Sequence, residues 1–167
     1  MSVLVRAAEP SDGPALVALI GVVQALHVAQ RPETFRPISR PEIAAWLAED
    51  THDSASTIWV AEMDGAVCGY LRSVIRKQAE NPFVYERTWL ELDQLCVDPA
   101  QRRKRVAEAL VAAATAYADA HGFRDVELSA WAFNHDAQRA FTKLGFVPKV
   151  VRFEAKGRAA ARETSPS

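Results

Sequence analysis

The chain is poor in the residues that build disulfide and metal frameworks. Its 167 residues include two cysteines, Cys68 and Cys96, both in apolar stretches, and no Cys-x-x-Cys. The four histidines, His27, His52, His121 and His135, show no close ligand spacing. A zinc site and a disulfide scaffold are therefore not expected, and a reducing, cytoplasmic setting is. Nothing approaches the ~20 apolar residues that a spanning helix needs, and the start, MSVLVRAAEP, lacks a signal-peptide core. Neither a membrane partner nor an export route is expected. A large excess of either charge is also missing: the net charge is −1, which argues against a dedicated nucleic-acid binder. The balance hides a division, since residues 1–99 sum to −6 and residues 100–167 to +5. Two faces meeting partners of opposite charge would produce it.

What is present, 49% hydrophobic and 25% charged residues over this length, suits one compact domain. Residues 3–8 read as a short strand. Ser11 and Asp12 can cap a helix over 14–28, where Leu16, Leu19, Ile20, Val23, Leu26 and His27 recur at helical spacing. Three prolines make 31–41 a loop, and Ser39 can cap a second helix with Pro41 in its first turn. Two strand-like runs flank Asp64-Gly65, a strong hairpin signal. A polar loop over 76–87 leads to a strand over 88–97, ended by Asp98-Pro99. A long Ala-rich helix follows and stops at Gly122. Residues 124–133 read as a strand, 134–145 as a short helix closed by Gly145, and 146–155 as a final strand. Trp46, Trp59 and Trp131 are expected in the core, with Trp131 also placed to line a channel. The domain would span residues 1–156, and the small, polar tail 157–167 is expected to be disordered. Consecutive strands in the middle and alternating elements later imply an α/β protein with one mixed sheet and helices on both faces.

Chemistry concentrates in LCVDPAQRRKRVAEAL, residues 95–110: a strand, a stop, a basic loop and a helix. A helix N-terminus offers unpaired N–H groups and a partial positive charge, so an anion fits there. Arg102, Arg103, Lys104 and Arg105 oppose that dipole unless an anion offsets them; the plainer alternative is a solvated basic face.

This segment resembles the acetyl-CoA motif of the GCN5-related N-acetyltransferase (GNAT) superfamily, V-x-P-x-x-[RQ]-x-x-G-x-[GA], through Val97, Pro99, Arg102, Val106, Ala107 and Leu110. Downstream, Asn134, Ala137, Phe141, Gly145 and Phe146 resemble a second family element, N-x-x-A-x-x-x-[YF]-x-x-x-G-F. The resemblance implies a mixed, mostly antiparallel sheet of six to seven strands, with the fourth and fifth splayed apart. It also implies acetyl-CoA as co-substrate. Backbone groups of Leu95, Cys96 and Val97 would pair with the pantetheine arm, and N–H groups from Arg102 to Ala107 (Arg103, Lys104, Arg105 and Val106 between them) would wrap the pyrophosphate. Asn134 would hold the cofactor, and residue 141 would face the sulfur. Homodimers occur in the family. Two positions depart from its pattern. Arg105 replaces a glycine, which is tolerable if the residue is helical and distorting if it needs positive φ. Phe141 replaces a tyrosine that returns a proton to the thiolate in many members.

A base must take a proton from the acceptor ammonium, because only the neutral amine attacks. Glu91 and Asp93 lie two apart on the strand over 88–97, hence on one face, beside Trp89, Leu90, Leu92 and Leu95 that would strip water from them. Glu91 occupies a position resembling the catalytic glutamate of histone-type members; an exposed strand face, or a structural pair to Arg87 or Arg72, is the alternative. Where other members carry a carboxylate on the fifth strand, Ser129 stands here, with Glu127 the nearest acid. Cys96 reads as a buried strand cysteine rather than a nucleophile. The expected activity is direct acetyl transfer to a primary amine, on a small molecule or a peptide. The competing readings are an acyl-CoA binder without activity and, far behind, a nucleic-acid binder using RRKR.

Overall fold

The computed structural model describes residues 2–155. Its elements are β1 (Leu4–Ala7), α1 (Gly13–Gln30), α2 (Arg40–Asp50), β2 (Ser56–Met63), β3 (Ala66–Gln78), β4 (Arg87–Val97), α3 (Val106–Ala120), β5 (Val126–Leu128) and α4 (His135–Lys143). Contacts divide the chain into a first unit, Met1–Phe133, and a second that begins at Asn134.

The first unit holds a sheet in the order β1-β2-β3-β4-β5. Neighbours from β1 to β4 are antiparallel, and β4 with β5 is parallel. Local chemistry sets these elements as the sequence implies. Asp64 and Gly65 both take positive φ, 51° and 78°, in the two-residue β2–β3 turn. Ser39 accepts from the Glu42 N–H while Glu42 accepts from the Ser39 N–H, a reciprocal cap that opens α2. Past α3, Gly122 at φ 72° lets the Phe123 N–H return to the Ala118 carbonyl at 2.9 Å.

Alternation along the strands divides the core in two. On one face, Leu16, Leu19, Ile20, Ile43 and Leu47 of α1 and α2 pack on Ile58, Val60, Tyr70 and Cys96. On the other, α3 packs on β2, β3 and β4, burying Val106, Leu110, Val111, Ala114 and Ala118. Each large aliphatic side chain so buried contributes about 1.5–3 kcal/mol. From Pro10 to Gln30 the chain is long and apolar enough, by length and composition, to cross a membrane, which corrects the expectation that no such run exists. Here Leu16, Val17, Leu19 and Ile20 of that stretch are buried against the sheet and α2.

Several other expectations change. The sheet has five strands among the described residues, not six or seven. Residues 146–155 form no ladder, and Val147, Val150, Val151 and Phe153 are exposed. The expected strand 124–133 shrinks to Val126–Leu128, because its parallel ladder with β4 ends there. The ladder between β3 and β4 runs on to Gln78 and Arg87, which shortens the expected loop. Asp12 stands at the α1 N-terminus without capping it through its side chain. Its carboxylate is taken by Arg6, at 2.7 and 2.9 Å, and by the Glu9 N–H. The tail 157–167 lies outside the described residues.

Candidate active site

β4 carries the site, and its hydrogen bonding explains how. Toward β5 the ladder runs Leu90 to Val126, Glu91 to Glu127 and Leu92 to Leu128, then ends. From Asp93 to Val97 the strand has no β5 partner among the described residues, so its main-chain groups line an open edge. The expected splay of the fourth and fifth strands is this feature. On the β3 side the register jumps from Arg72 opposite Gln94 to Ser73 opposite Leu92, leaving Asp93 as the extra residue of a bulge. A bulge twists the strand and re-aims side chains at the point where pairing must stop.

The bulge is held by β3. Arg72 donates to Asp93 through Nη1 at 2.7 Å, and the buried Tyr70 hydroxyl donates to Gln94 Oε1 at 2.9 Å. The remaining guanidinium nitrogens of Arg72 bind Asp50 of α2, at 2.6 to 3.1 Å, and Trp46 lies beneath at 5.4 Å. Arg72 and Asp50 are only 13% and 5% exposed. Burial would push the Asp50 carboxyl up; the hydrogen bonds from Arg72 and Ser56 overcome it and hold the group below its ordinary value.

Both candidate carboxylates are brought to the face covered by α1 and α2, and both are ion-paired. Arg76 donates twice to Glu91, through Nε at 3.2 Å and Nη2 at 2.9 Å, both to Oε1. Oε2 carries no hydrogen bond among the described residues. Both carboxylates keep about a third of their surface exposed. The structural pair for Glu91 is thus Arg76, a residue that the sequence reading did not pick. Glu127 is held by Arg87. Cys96 is buried, and burial pushes its thiol up to about 11, which removes it as a nucleophile at neutral pH.

Beyond Val97, Asp98 caps a short turn over Pro99–Gln101 by accepting from the Ala100 N–H. The basic loop then reaches α3. Arg103 and Arg105 both take φ 63°, the left-handed region that suits glycine. Of the two outcomes foreseen for Arg105, positive φ is the one found, so a glycine conformation is kept by an arginine. Its guanidinium is tied back to Glu108 at 2.5 and 2.8 Å. Lys104 binds Gln101, while Arg102 and Arg103 are exposed and have no side-chain partner among the described residues. The first N–H groups of α3, starting at Val106 and Ala107, have no intrahelical acceptor.

An anionic thioester fits this geometry on two counts. The free edge of Leu95, Cys96 and Val97 can pair with an extended amide-bearing arm, and the next turn offers unpaired N–H groups and exposed cations to phosphates. Gly69 lies beneath that junction: a Cβ there would meet the Cys96 carbonyl oxygen at 2.9 Å and Val106 Cγ1 at 3.0 Å. The sequence reading missed this glycine, which no motif marks.

In the second unit, Asn134 accepts from the Ala137 N–H at 3.2 Å and caps α4, a role local to that helix. Phe141 of α4 packs edge-on against Phe146, their ring centres 6.2 Å apart.

The aromatic residues also depart from expectation. Trp46 and Trp59 are half-buried, but Trp131 is 38% exposed rather than in the core. It stands with His27, Phe35 and Phe133. His27 stacks on Phe35 at 4.7 Å, and Phe35 meets Trp131 edge-on at 5.2 Å.

Residues 22–146 match the family model described as Acetyltransferase (GNAT) family. No curated protein sequence matches the chain significantly. Among solved structures it is similar to a mutant of the BH1408 protein from Bacillus halodurans, at 22% identity and TM-score 0.86, over 91% of this chain and 98% of that one. It is also similar to the aminoglycoside N-acetyltransferase AAC(6')-Iy in complex with CoA, at 18% identity and TM-score 0.73, over 93% and 96%. The aminoglycoside 6'-N-acetyltransferase AAC(6')-IG from Acinetobacter haemolyticus shows 19% identity and TM-score 0.69, over 93% and 99%. At these identities the likeness is one of fold.

Proposed function

The chain belongs to the GNAT acetyltransferase family, whose co-substrate is acetyl-CoA, and from that premise we propose that it transfers the acetyl group directly to a primary amine. The observation that carries this reading is the end of the β4–β5 ladder at Leu92 and Leu128. It leaves Asp93–Val97 open immediately before the basic loop and α3.

In this reading Leu95, Cys96 and Val97 hold the amide arm through main-chain hydrogen bonds. N–H groups from Arg102, Arg103, Lys104, Arg105, Val106 and Ala107 meet the pyrophosphate. Acetyl-CoA supplies an activated acyl group on sulfur. Glu91, through Oε2 or a water on it, takes a proton from the acceptor ammonium. The neutral nitrogen then forms the C–N bond to the acetyl carbon as the C–S bond breaks; sulfur leaves with the electron pair, and the nitrogen gives its surplus proton to solvent. A main-chain N–H near Val97 supports the carbonyl oxygen as charge develops on it. Asp93, engaged by Arg72, holds the bulge that ends the ladder. The thiolate takes its proton from solvent. The protein would work in the cytoplasm, and a homodimer is consistent with the family.

Acetyl-CoA at 100 times its dissociation constant should stabilise the protein by about 2.7 kcal/mol. Absence of any thermal shift would sink the proposal. Thiol release on adding amines separates an enzyme from the second reading, a binder without activity. That reading is favoured by one pair of facts: Arg105 strained at a glycine position and Phe141 without a proton to give. Glu91→Gln should lower kcat more than tenfold and leave the acetyl-CoA shift unchanged. Full activity of this variant across pH would refute the assignment of the base.

A further inference from the structure

One guanidinium is divided between two carboxylates on different elements. Arg72 of β3 donates to Asp50, the last residue of α2, through Nη2 at 2.6 Å and Nε at 3.1 Å. Through Nη1, at 2.7 Å, it donates to Asp93, the extra residue of the β4 bulge. All three guanidinium nitrogens are thereby engaged. Because the fork is planar and rigid, the place of one carboxylate sets the place of the other. Asp50 is the fixed end. Its side chain is 5% exposed, Ser56 Oγ donates to its Oδ2 at 2.9 Å, and Ile43 and Leu47 of the same helix are buried. Asp93 is the end in need of fixing. Its side chain is 30% exposed, and it has no ladder partner on β3 or, among the described residues, on β5.

Stability alone is a poor reason for this arrangement. A carboxylate in the last turn of a helix opposes the helix dipole, and a buried ion pair often stabilises no more than apolar residues of similar volume. What an apolar pair cannot do is place the bulge. On β3, Val74, Arg72 and Tyr70 alternate, while their partners Glu91, Gln94 and Cys96 are spaced by three residues and then by two. The extra residue thus lets Glu91 share a face with Cys96. Displacing the bulge along β4 would flip the residues in between, and with them the main-chain groups offered at the open edge.

Resting on the acetyltransferase reading above, we infer that Asp50 and Arg72 are positioning residues for the cofactor edge. Neither belongs to that edge. Through Arg72, the buried carboxylate at the end of α2 fixes the bulge at Asp93, and so the alignment of Asp93–Val97 toward acetyl-CoA.

The double variant Asp50→Leu with Arg72→Met, in the full chain, separates positioning from support of the fold. Thermal melts and calorimetric titration with acetyl-CoA read the two. The exchange removes one positive and one negative charge, so net charge toward the anionic thioester is unchanged. Tm should stay near that of the parent, while the Kd for acetyl-CoA rises at least about fivefold. Asp93→Ala should raise Kd by a similar factor in the parent and by less than about twofold in the double variant, because the three residues act as one unit. Arg72→Lys keeps the charge but offers a single nitrogen that cannot fork across both carboxylates, and should raise Kd at least about threefold. This variant decides the matter where the double variant folds poorly. A Kd within about twofold of the parent in a folded double variant would overturn the inference. So would an Asp93→Ala effect that multiplies in full in both backgrounds, or parental affinity in Arg72→Lys. Failure of the parent to bind acetyl-CoA instead refutes the acetyltransferase reading itself.

Discussion

Gly69 offers the sharpest test of how α3 is seated on the sheet. It lies on β3 opposite Val97, the last residue of β4. In Gly69→Ala the new methyl would sit 2.9 Å from the Cys96 carbonyl oxygen, 3.0 Å from Val106 Cγ1 and 3.4 Å from Leu110 Cδ1. The first contact is with backbone, which cannot rotate away, and the second is with the opening residue of α3. The end of β4 and the first turn of α3 must therefore separate. Overpacking of this kind costs about 1–3 kcal/mol, offset by the roughly 0.4–1 kcal/mol that alanine gains from a stiffer unfolded chain. At about 2–4 °C per kcal/mol for a chain of this size, the net cost of about 0–2.6 kcal/mol is a fall in Tm of up to about 10 °C. Gly21→Ala is the matched control. It lies inside α1, where a methyl meets only Ile43 Cδ1 at an ordinary 3.9 Å, so the same substitution should raise Tm by about 1–4 °C. Thermal unfolding followed by circular dichroism reads both. Since the seam it opens is also the proposed cofactor edge, Gly69→Ala should weaken acetyl-CoA binding at least tenfold by calorimetric titration. Tm values that move in the same direction for both variants would refute this account of the packing.

Two further expectations concern charge. Asp50→Ala leaves the largely buried Arg72 guanidinium without its main partner and should cost about 3–5 kcal/mol in a urea melt. The double variant Asp50→Leu with Arg72→Met should recover most of that loss, and a double variant as unstable as the single one would disprove the assignment. The second concerns acid. Hydrogen bonds from Arg6 hold the Asp12 carboxyl below its ordinary value, Arg72 does the same for Asp50, and Ser39 lowers Glu42 from 4.5 to about 2. These groups are depressed in the folded state, so their contribution is complete above the unfolded carboxylate value and disappears as pH falls through the folded one. Tm should be level from pH 7 to about 5 and decline below about 4.5. Glu42→Gln should flatten part of that decline between 4.5 and about 2. An unaltered acid profile in Glu42→Gln would contradict the cap geometry.

Much of this architecture is legible along the chain because local chemistry decides it. Asp64-Gly65 requires a tight turn, Ser39 with Glu42 makes a cap, and alanines from Val106 to Ala120 favour a helix whatever surrounds them. The elements misjudged are those whose state depends on a distant partner. Residues 124–133 alternate as a strand throughout, yet only Val126–Leu128 pair, because β4 turns away at Asp93. Residues 146–155 have strand composition and no ladder to join among the described residues. The bulge itself has no local signature: nothing in LELDQL distinguishes Asp93 as an extra residue until Arg72 and Ser73 are seen to face Gln94 and Leu92.

The candidate site divides along the same line. Its main-chain parts could be placed from motif spacing, since a strand, a stop and a helix N-terminus follow one another within residues 95–110. The side-chain partners could not. Arg76 and Arg72 reach Glu91 and Asp93 across a ladder whose register the bulge shifts by one residue. The charge division noticed first is changed by those contacts. The acidic part of the chain does supply Glu33, Glu91 and Asp93, but arginines of that same part engage all three. In the basic part, by contrast, Arg102 and Arg103 remain exposed beside the opening turn of α3. Exposed cations beside an open helix N-terminus are what the proposed binding of an anionic cofactor needs.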